Sequence, residues 1–336
     1  LRLARGLTGI ETGGVAGALP PPRLRLPLEV VGVAVSSLSA GTSRRWKNRR
    51  TLVYLLFLLP AVLVLVATSL YPLLYALGVS LTRWNLLSLW LPRTWVGLGN
   101  YVKVLQDPTF LTSLANTFLF IVASVGLEFL IGFGIALLVS GESRSLKIIR
   151  PVLLIPMMLP PVVVGVLWRM LWHTKYGLVN YALVRLGGTA VPWLASATHA
   201  KIAVVLSDVW EWTPFFILVL VAALQSLPQE PYEVAQIDGA SRWQTFRYVT
   251  WPLLKPMVAI AVALRAMDAA KVFDLIYVLT QGGPGLSTEV TTLFIYKQGL
   301  KFFEVGYASA GAWVYLIFIL TFSWLLLRRR GAGVQV

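Results

Sequence analysis

The sequence predicts an all-α membrane protein with about six transmembrane helices. Three observations predict it. The 336-residue chain is 57% hydrophobic and only 13% charged, about half the ~25% of an ordinary soluble chain. Its mean hydropathy is +0.74. The apolar residues come in long blocks, which points to a bilayer rather than to one large core.

Residues 1–43 differ from the rest. They hold Gly13-Gly14, Pro20-Pro21-Pro22 and an apolar stretch from Leu28 to Val35, far short of the ~20 residues a span needs. They read as a disordered tail or as a start placed too far upstream. A cleaved signal peptide fits poorly, because it would lie at the very start and precede a soluble domain. The transmembrane domain is expected over 44–330. It opens on Arg44, Arg45, Lys47, Arg49 and Arg50, and its spans are expected at 52–80, 113–139, 151–173, 201–225, 253–279 and 306–327. Pro60 and Pro72 fall in the first span, and Pro156, Pro160 and Pro161 in the third. Neighbouring helices and water can satisfy the carbonyls that such prolines free.

Loop charges set the orientation. With the N-terminus in the cytoplasm, 14 Lys and Arg fall inside and 8 outside. The inside set includes Arg144, Lys147, Arg150, Arg242, Arg247, Lys255 and Arg328 to Arg330. This bias places both termini in the cytoplasm. It also explains the net charge of +15 without nucleic acid, since the basic residues cluster beside apolar blocks.

Several chemistries are excluded. Cysteine is absent, so there is no disulfide, thiolate nucleophile or zinc knuckle. His173 and His199 are the only histidines and cannot form a metal motif with each other. No metal or other cofactor is expected. The acidic residues form no convergent acid/base pair at a readable spacing, which argues against a membrane-embedded enzyme.

The loop at 228–252, between the fourth and fifth spans, carries the strongest local signal. Pro231 suits a first helical turn. Tyr232 to Ile237 make about a turn and a half. Gly239 can take the left-handed conformation that ends a helix, and Ser241 can cap a second one. Pro252 and Pro256 mark entry to the next span. The result is a helical knob at the membrane surface.

This loop resembles the coupling motif of permease subunits in ABC importers, E-A-A-x-x-x-G followed by L-P. Glu233, Ala235, Gly239 and Pro252 match, whereas Val234 and Trp251 replace the usual residues. Val96 to Tyr101 and Asp268 to Pro284 are similar to further segments of sugar-type permeases. The resemblance covers residues 51–327, and its closest branch serves maltose, trehalose and glycerol-3-phosphate importers. It implies a type I ABC importer permease bundle with a cytoplasmic coupling helix, in a bacterial or archaeal inner membrane. Glu233, Ala235, Asp238, Gly239 and Ala240 would meet the ATPase subunit. The implied partners are a second permease subunit in a heterodimer, two copies of the ATPase, an extracytoplasmic solute-binding protein and membrane lipid. The chain holds no G-x-x-x-x-G-K-[ST] loop, so ATP would be hydrolysed on another polypeptide.

Charges at mid-membrane are costly and suggest a water-filled path. The fifth span carries Arg265, Asp268, Lys271 and Asp274 at three-residue spacing. They can compensate one another as a structural ladder or face a solute. The fourth carries Trp210, Glu211 and Trp212. Trp168 and Trp172 share a face of the third, where Trp is equally favoured as interfacial packing. Trp172, Trp210, Glu211, Trp212, Asp268, Asp274 and Tyr277 are the candidate path residues, because aromatic faces pack on sugar C–H surfaces and carboxylates accept from hydroxyls. An importer of a phosphate ester is the alternative within the same family. A proton-coupled secondary transporter is the rival outside it, but no inverted repeat supports that.

Overall fold

In the computed structural model, residues 54, 56–88, 93–140 and 151–328 are described. The expectations for 1–43, for the basic segments at 44–50 and 329–330, and for Arg144, Lys147 and Arg150 lie outside them. The chain divides into two compact units, Leu1–Tyr71 and Pro72–Val336. The described residues of the first belong largely to the start of helix α1 (Leu56–Ser80), which is 25 residues long and strongly apolar. Phe57 and Leu63 on it are exposed. Such a surface needs lipid or another apolar face to cover it.

The second unit is almost wholly helical. After α1 a two-stranded antiparallel ribbon pairs β1 (Thr82–Arg83) with β2 (Thr94–Trp95), Thr82 opposite Trp95. Then come α2 (Gly99–Gln106), α3 (Pro108–Val139), α4 (Pro161–Leu171), α5 (Leu178–Arg185) and α6 (Ala197–Gln225). They are followed by α7 (Glu230–Ile237), α8 (Arg242–Ala269), α9 (Asp274–Leu279), α10 (Thr291–Tyr296) and α11 (Val305–Arg328). Asp107 starts α3 by accepting the Thr109 backbone N–H at 2.8 Å, ahead of Pro108 in the first turn, where a missing N–H costs nothing.

Among the described residues α1, α3, α6, α8 and α11 are long and apolar enough to cross a membrane. Two expected spans differ. The third, at 151–173, is interrupted: a short 3-10 turn, Pro156–Met158, precedes an extended Pro160, and α4 starts only at Pro161. A residue before proline is pushed out of the helical region, so the Pro160-Pro161 pair breaks the run. The 11 residues of α4 reach only about 16 Å. The fifth, expected as one helix over 253–279, begins earlier and stops at Ala269, with α9 following after a break. Two hydroxyls take backbone carbonyls at that break. Tyr315 donates to the Ala270 carbonyl and Thr292 to that of Val272, each at 2.5 Å. These bonds let irregular backbone sit at membrane depth.

The core forms where α3 packs along α6, the most extensive helix pair. Phe216 and Leu220 of α6 are fully buried there. Gly132 allows the approach, since a Cβ on it would lie 2.6 Å from the Phe216 Cβ and 3.2 Å from the Thr213 carbonyl oxygen. Small residues at helix contacts serve this purpose in membranes. Gly132→Val is therefore expected to overpack the contact and cost about 1–3 kcal/mol. Thermal unfolding in detergent measures it, and an unchanged midpoint would mean the helices do not touch there.

Candidate functional site

Two groups of residues stand out, one after α6 and one between the long helices. In the first, Pro231 lies in the opening turn of α7, with Glu230 and Glu233 beside it. Carboxylates there complement the positive end of the helix dipole. Gly239 ends the helix with φ +67°. Its N–H bonds the Gln236 carbonyl and the Ala240 N–H bonds that of Ala235, at 3.1 and 2.9 Å. This paired closure satisfies the last carbonyls and needs a left-handed residue. Ser241 and Gln244 then form a reciprocal capping box that starts α8. Tyr232 ties α7 to α8 by donating to Thr250 Oγ1 at 3.1 Å.

The knob shows an apolar side. Ile237 is 85% exposed, and Val234, Trp243 and Tyr248 are exposed as well. Glu233, Asp238 and Gly239 are exposed beside them. Ala235, expected in the same surface, is instead buried against the chain itself and is part of the knob's own packing. Val234, Ile237 and Trp243 were not among the expected contacts. The signal for them was present, as apolar residues in a loop too polar to span.

The second group starts from Arg265 on α8. Its Nε and Nη2 donate to the two oxygens of Glu128 on α3, both at 2.9 Å, and Nη2 also donates to Asp208 on α6 at 2.6 Å. Glu128, Asp208 and Arg265 are 0%, 2% and 3% exposed. Charge at this depth is tolerated when it is paired, and a bidentate arginine–carboxylate bond is the strong form of that pairing. The guanidinium also stands 4.8 Å from the centre of the Trp212 ring. Its Nη1 reaches Asp268 at 3.4 Å, and Lys271 lies 3.8 Å from the same carboxylate.

A cavity of about 220 Å³ opens beside this cluster. Asp208, Glu211 and Trp212 line it from α6, Arg265 and Asp268 from α8, and Lys271 to Leu275 from the break and the start of α9. Pro161 of α4 closes another wall. Of the expected path residues, Glu211, Trp212, Asp268 and Asp274 thus share one cavity. Trp172, Trp210 and Tyr277 do not line it. Trp172 is buried, donates to Ser207 Oγ at 3.0 Å, stacks with Trp168 and meets Trp193 at a tilt. Trp210 packs edge-on against Trp168. Tyr277 stacks on Phe273 and meets Tyr296. Of the expected four-charge ladder, Arg265, Asp268 and Lys271 do contact one another in order, but Asp274 lies beyond the break after Ala269, and Arg265 pairs mainly across to α3 and α6.

Glu128 and Asp208 were missed by sequence reasoning. Glu128 is the sole charged residue of α3, and a lone acid in an apolar span needs a partner. That was the available signal.

Residues 128–328 match the family described as the binding-protein-dependent transport system inner membrane component. A probable ABC transporter permease protein of Sinorhizobium fredii is 38% identical over 294 residues, 87% of this chain and 95% of that one. The trehalose/maltose transport system permease protein MalF of Thermococcus litoralis is 36% identical over 283 residues, 84% of this chain and 95% of that one. A solved bacterial alginate ABC transporter, in complex with an alginate pentasaccharide-bound periplasmic protein, shares the fold. A chain of it superposes with a TM-score of 0.74 at 22% identity, covering 87% of this chain and 100% of that one.

Proposed function

Because the chain belongs to the family of binding-protein-dependent transport inner membrane components, we propose that it is a sugar-conducting permease subunit of an ATP-driven importer. One observation carries the reading. The helix that begins at the knob's capping box is the same helix that brings Arg265 and Asp268 to the cavity. A push on the knob therefore reaches the cavity wall without crossing a loop.

In this reading the exposed face of Val234, Ile237 and Trp243 docks on an ATPase subunit, with Glu233 and Asp238 as its polar rim. ATP is hydrolysed there and not on this chain. A second permease subunit completes the path, the ATPase is present in two copies, and an extracytoplasmic binding protein delivers the sugar. The trehalose/maltose relative supports this choice of solute. So does the cavity, whose carboxylates outnumber its cations and suit a phosphate ester badly.

Co-purification tests the reading. The tagged chain is expected to bring down an ATPase whose turnover rises with sugar-loaded binding protein. Recovery of the chain without any ATPase would defeat the importer reading.

Both termini are assigned to the cytoplasm, which puts the knob on that side as well. The Cys-free sequence makes this easy to check with single cysteines at Leu87, Leu286 and Gln236, all exposed positions. An impermeant thiol reagent added outside should label the first two and spare the third. Labelling of position 236 from outside would invert the topology.

A further inference from the structure

A second cavity, of about 470 Å³, lies apart from the Arg265 cluster. Arg83 and Trp84 line it from the end of β1, Lys103 from α2, Asp107 from the cap of α3, and Glu304 and Tyr307 from the start of α11. Its depth follows from the chain. Helix α1 closes at Ser80, α3 opens at Pro108 and α11 opens at Val305, so the ends of candidate spans surround it. Ser140, past the other end of α3, shares a pocket with Tyr232 of the knob. The cavity therefore sits at the membrane boundary opposite the knob.

Its surroundings fit that depth. Trp84 and Tyr307 line the cavity, Trp95 pairs with Thr82 across the ribbon, and the Tyr101 hydroxyl meets Ser80 Oγ at 2.6 Å. Tryptophan and tyrosine gather in this way at the headgroup level of a bilayer. Asn100 and Val104 of α2 are buried, whereas Leu98, Val102 and Leu105 are exposed, as is Trp95. A helix with such an apolar face lies in the plane of the interface, with that face among the acyl chains. A protein that docked and left would uncover this face to water in each cycle, whereas lipid covers it throughout.

The polar groups of the cavity are of two kinds. Asp107 is already satisfied, because it accepts the Thr109 N–H at 2.8 Å and the Tyr307 hydroxyl at 2.6 Å. Arg83, Lys103 and Glu304 are exposed, and among the described residues none of their side chains forms a hydrogen bond or ion pair. The cavity thus offers free cations together with a free carboxylate. We propose that it binds the headgroup of a zwitterionic phospholipid that carries a primary amine. Arg83 and Lys103 take the phosphate through charge-assisted hydrogen bonds, Glu304 accepts from the ammonium, and Leu98, Val102 and Leu105 meet the acyl chains. The site requires only that the chain spans a membrane and is independent of the solute carried.

Native mass spectrometry of the purified permease complex with defined lipids tests this. Phosphatidylethanolamine is expected to bind more tightly than phosphatidylglycerol, which lacks the amine, and than phosphatidylcholine, whose ammonium has no N–H. Arg83→Ala combined with Lys103→Ala should weaken phosphatidylethanolamine and phosphatidylglycerol alike, by about tenfold or more. Glu304→Gln should bring phosphatidylethanolamine down to the level of phosphatidylglycerol without weakening the latter. Equal binding of all these lipids to the wild type, or unchanged binding to the double variant, overturns the proposal. Glycerophosphoethanolamine, the same headgroup without acyl chains, should not compete at equal concentration; if it does, the cavity serves a free solute and the lipid site falls. In nanodiscs of phosphatidylethanolamine and phosphatidylglycerol, the solute-binding protein should bind the double variant as it binds the wild type. A loss there with lipid binding intact would make the cavity a protein-docking site instead. Should the double variant not assemble, Glu304→Gln alone decides, and a retained preference for phosphatidylethanolamine overturns the proposal.

Discussion

Glu128→Ala is expected to destabilise the protein by about 3–5 kcal/mol, the usual effect of removing one member of a buried charge pair. Glu128 supplies both oxygens of a bidentate bond to Arg265, and the pair lies wholly out of water. Taking it away leaves Arg265 with Asp208, the longer contact to Asp268 and an empty space on α3. The guanidinium then keeps N–H groups with no acceptor where water does not reach. Glu128→Gln should do less harm, because one amide oxygen still accepts while the amide nitrogen opposes. The order expected for melting in detergent is wild type, then Gln, then Ala. Equal midpoints for all three would show that the charge cluster does not hold α3 to α8.

Gly239→Pro is expected to abolish coupling while the chain still inserts. Gly239 sits at φ +67°, whereas proline is fixed near −65°. Its N–H also bonds the Gln236 carbonyl, and proline has none to give. Together these cost about 3 kcal/mol or more, roughly a hundredfold in the population of the correct knob. Transport and binding-protein-stimulated ATP hydrolysis should fall accordingly. Gly239→Asn is the control, because asparagine tolerates the left-handed region and should retain most activity. If the proline variant transports at the wild-type rate, the knob has no part in coupling.

Much of the fold was legible because bilayer physics writes itself into composition. The second, fourth and sixth spans are continuous apolar runs, and α3, α6 and α11 lie where those runs lie. The knob was legible because its cues are local: Pro231, Gly239 and Ser241 each act within a few residues. The third and fifth spans were harder. Hydropathy does not register the Pro160-Pro161 break. Nor does it foresee that Tyr315 and Thr292, distant in sequence, would take the carbonyls after Ala269. The Arg265 cluster was illegible for the same reason. Its partners lie 137 and 57 residues away, and the nearer, local partners at three-residue spacing offered a simpler story. The Trp172 and Tyr277 side chains were assigned to the path by chemistry that suits packing equally well, and only the arrangement of α4, α6 and α9 shows that they lie outside this cavity.

The continuity of α8 has a mechanical side. Arg265 is fastened to α3 and α6, so the helix has a fulcrum close to one end. From Arg242 to Arg265 is about 35 Å, and from Arg265 to Ala269 about 6 Å. The arms on either side of that point are very unequal, and the longer one carries a π-helical turn at Phe246–Thr250 and an internal Pro256, where helices bend. An excursion of the knob end that reaches Arg265 arrives at the cavity end reversed and reduced at least about sixfold. In the proposed coupling, a large movement of the knob would thus arrive as a small one where Asp268 and the break at Ala270 meet the cavity.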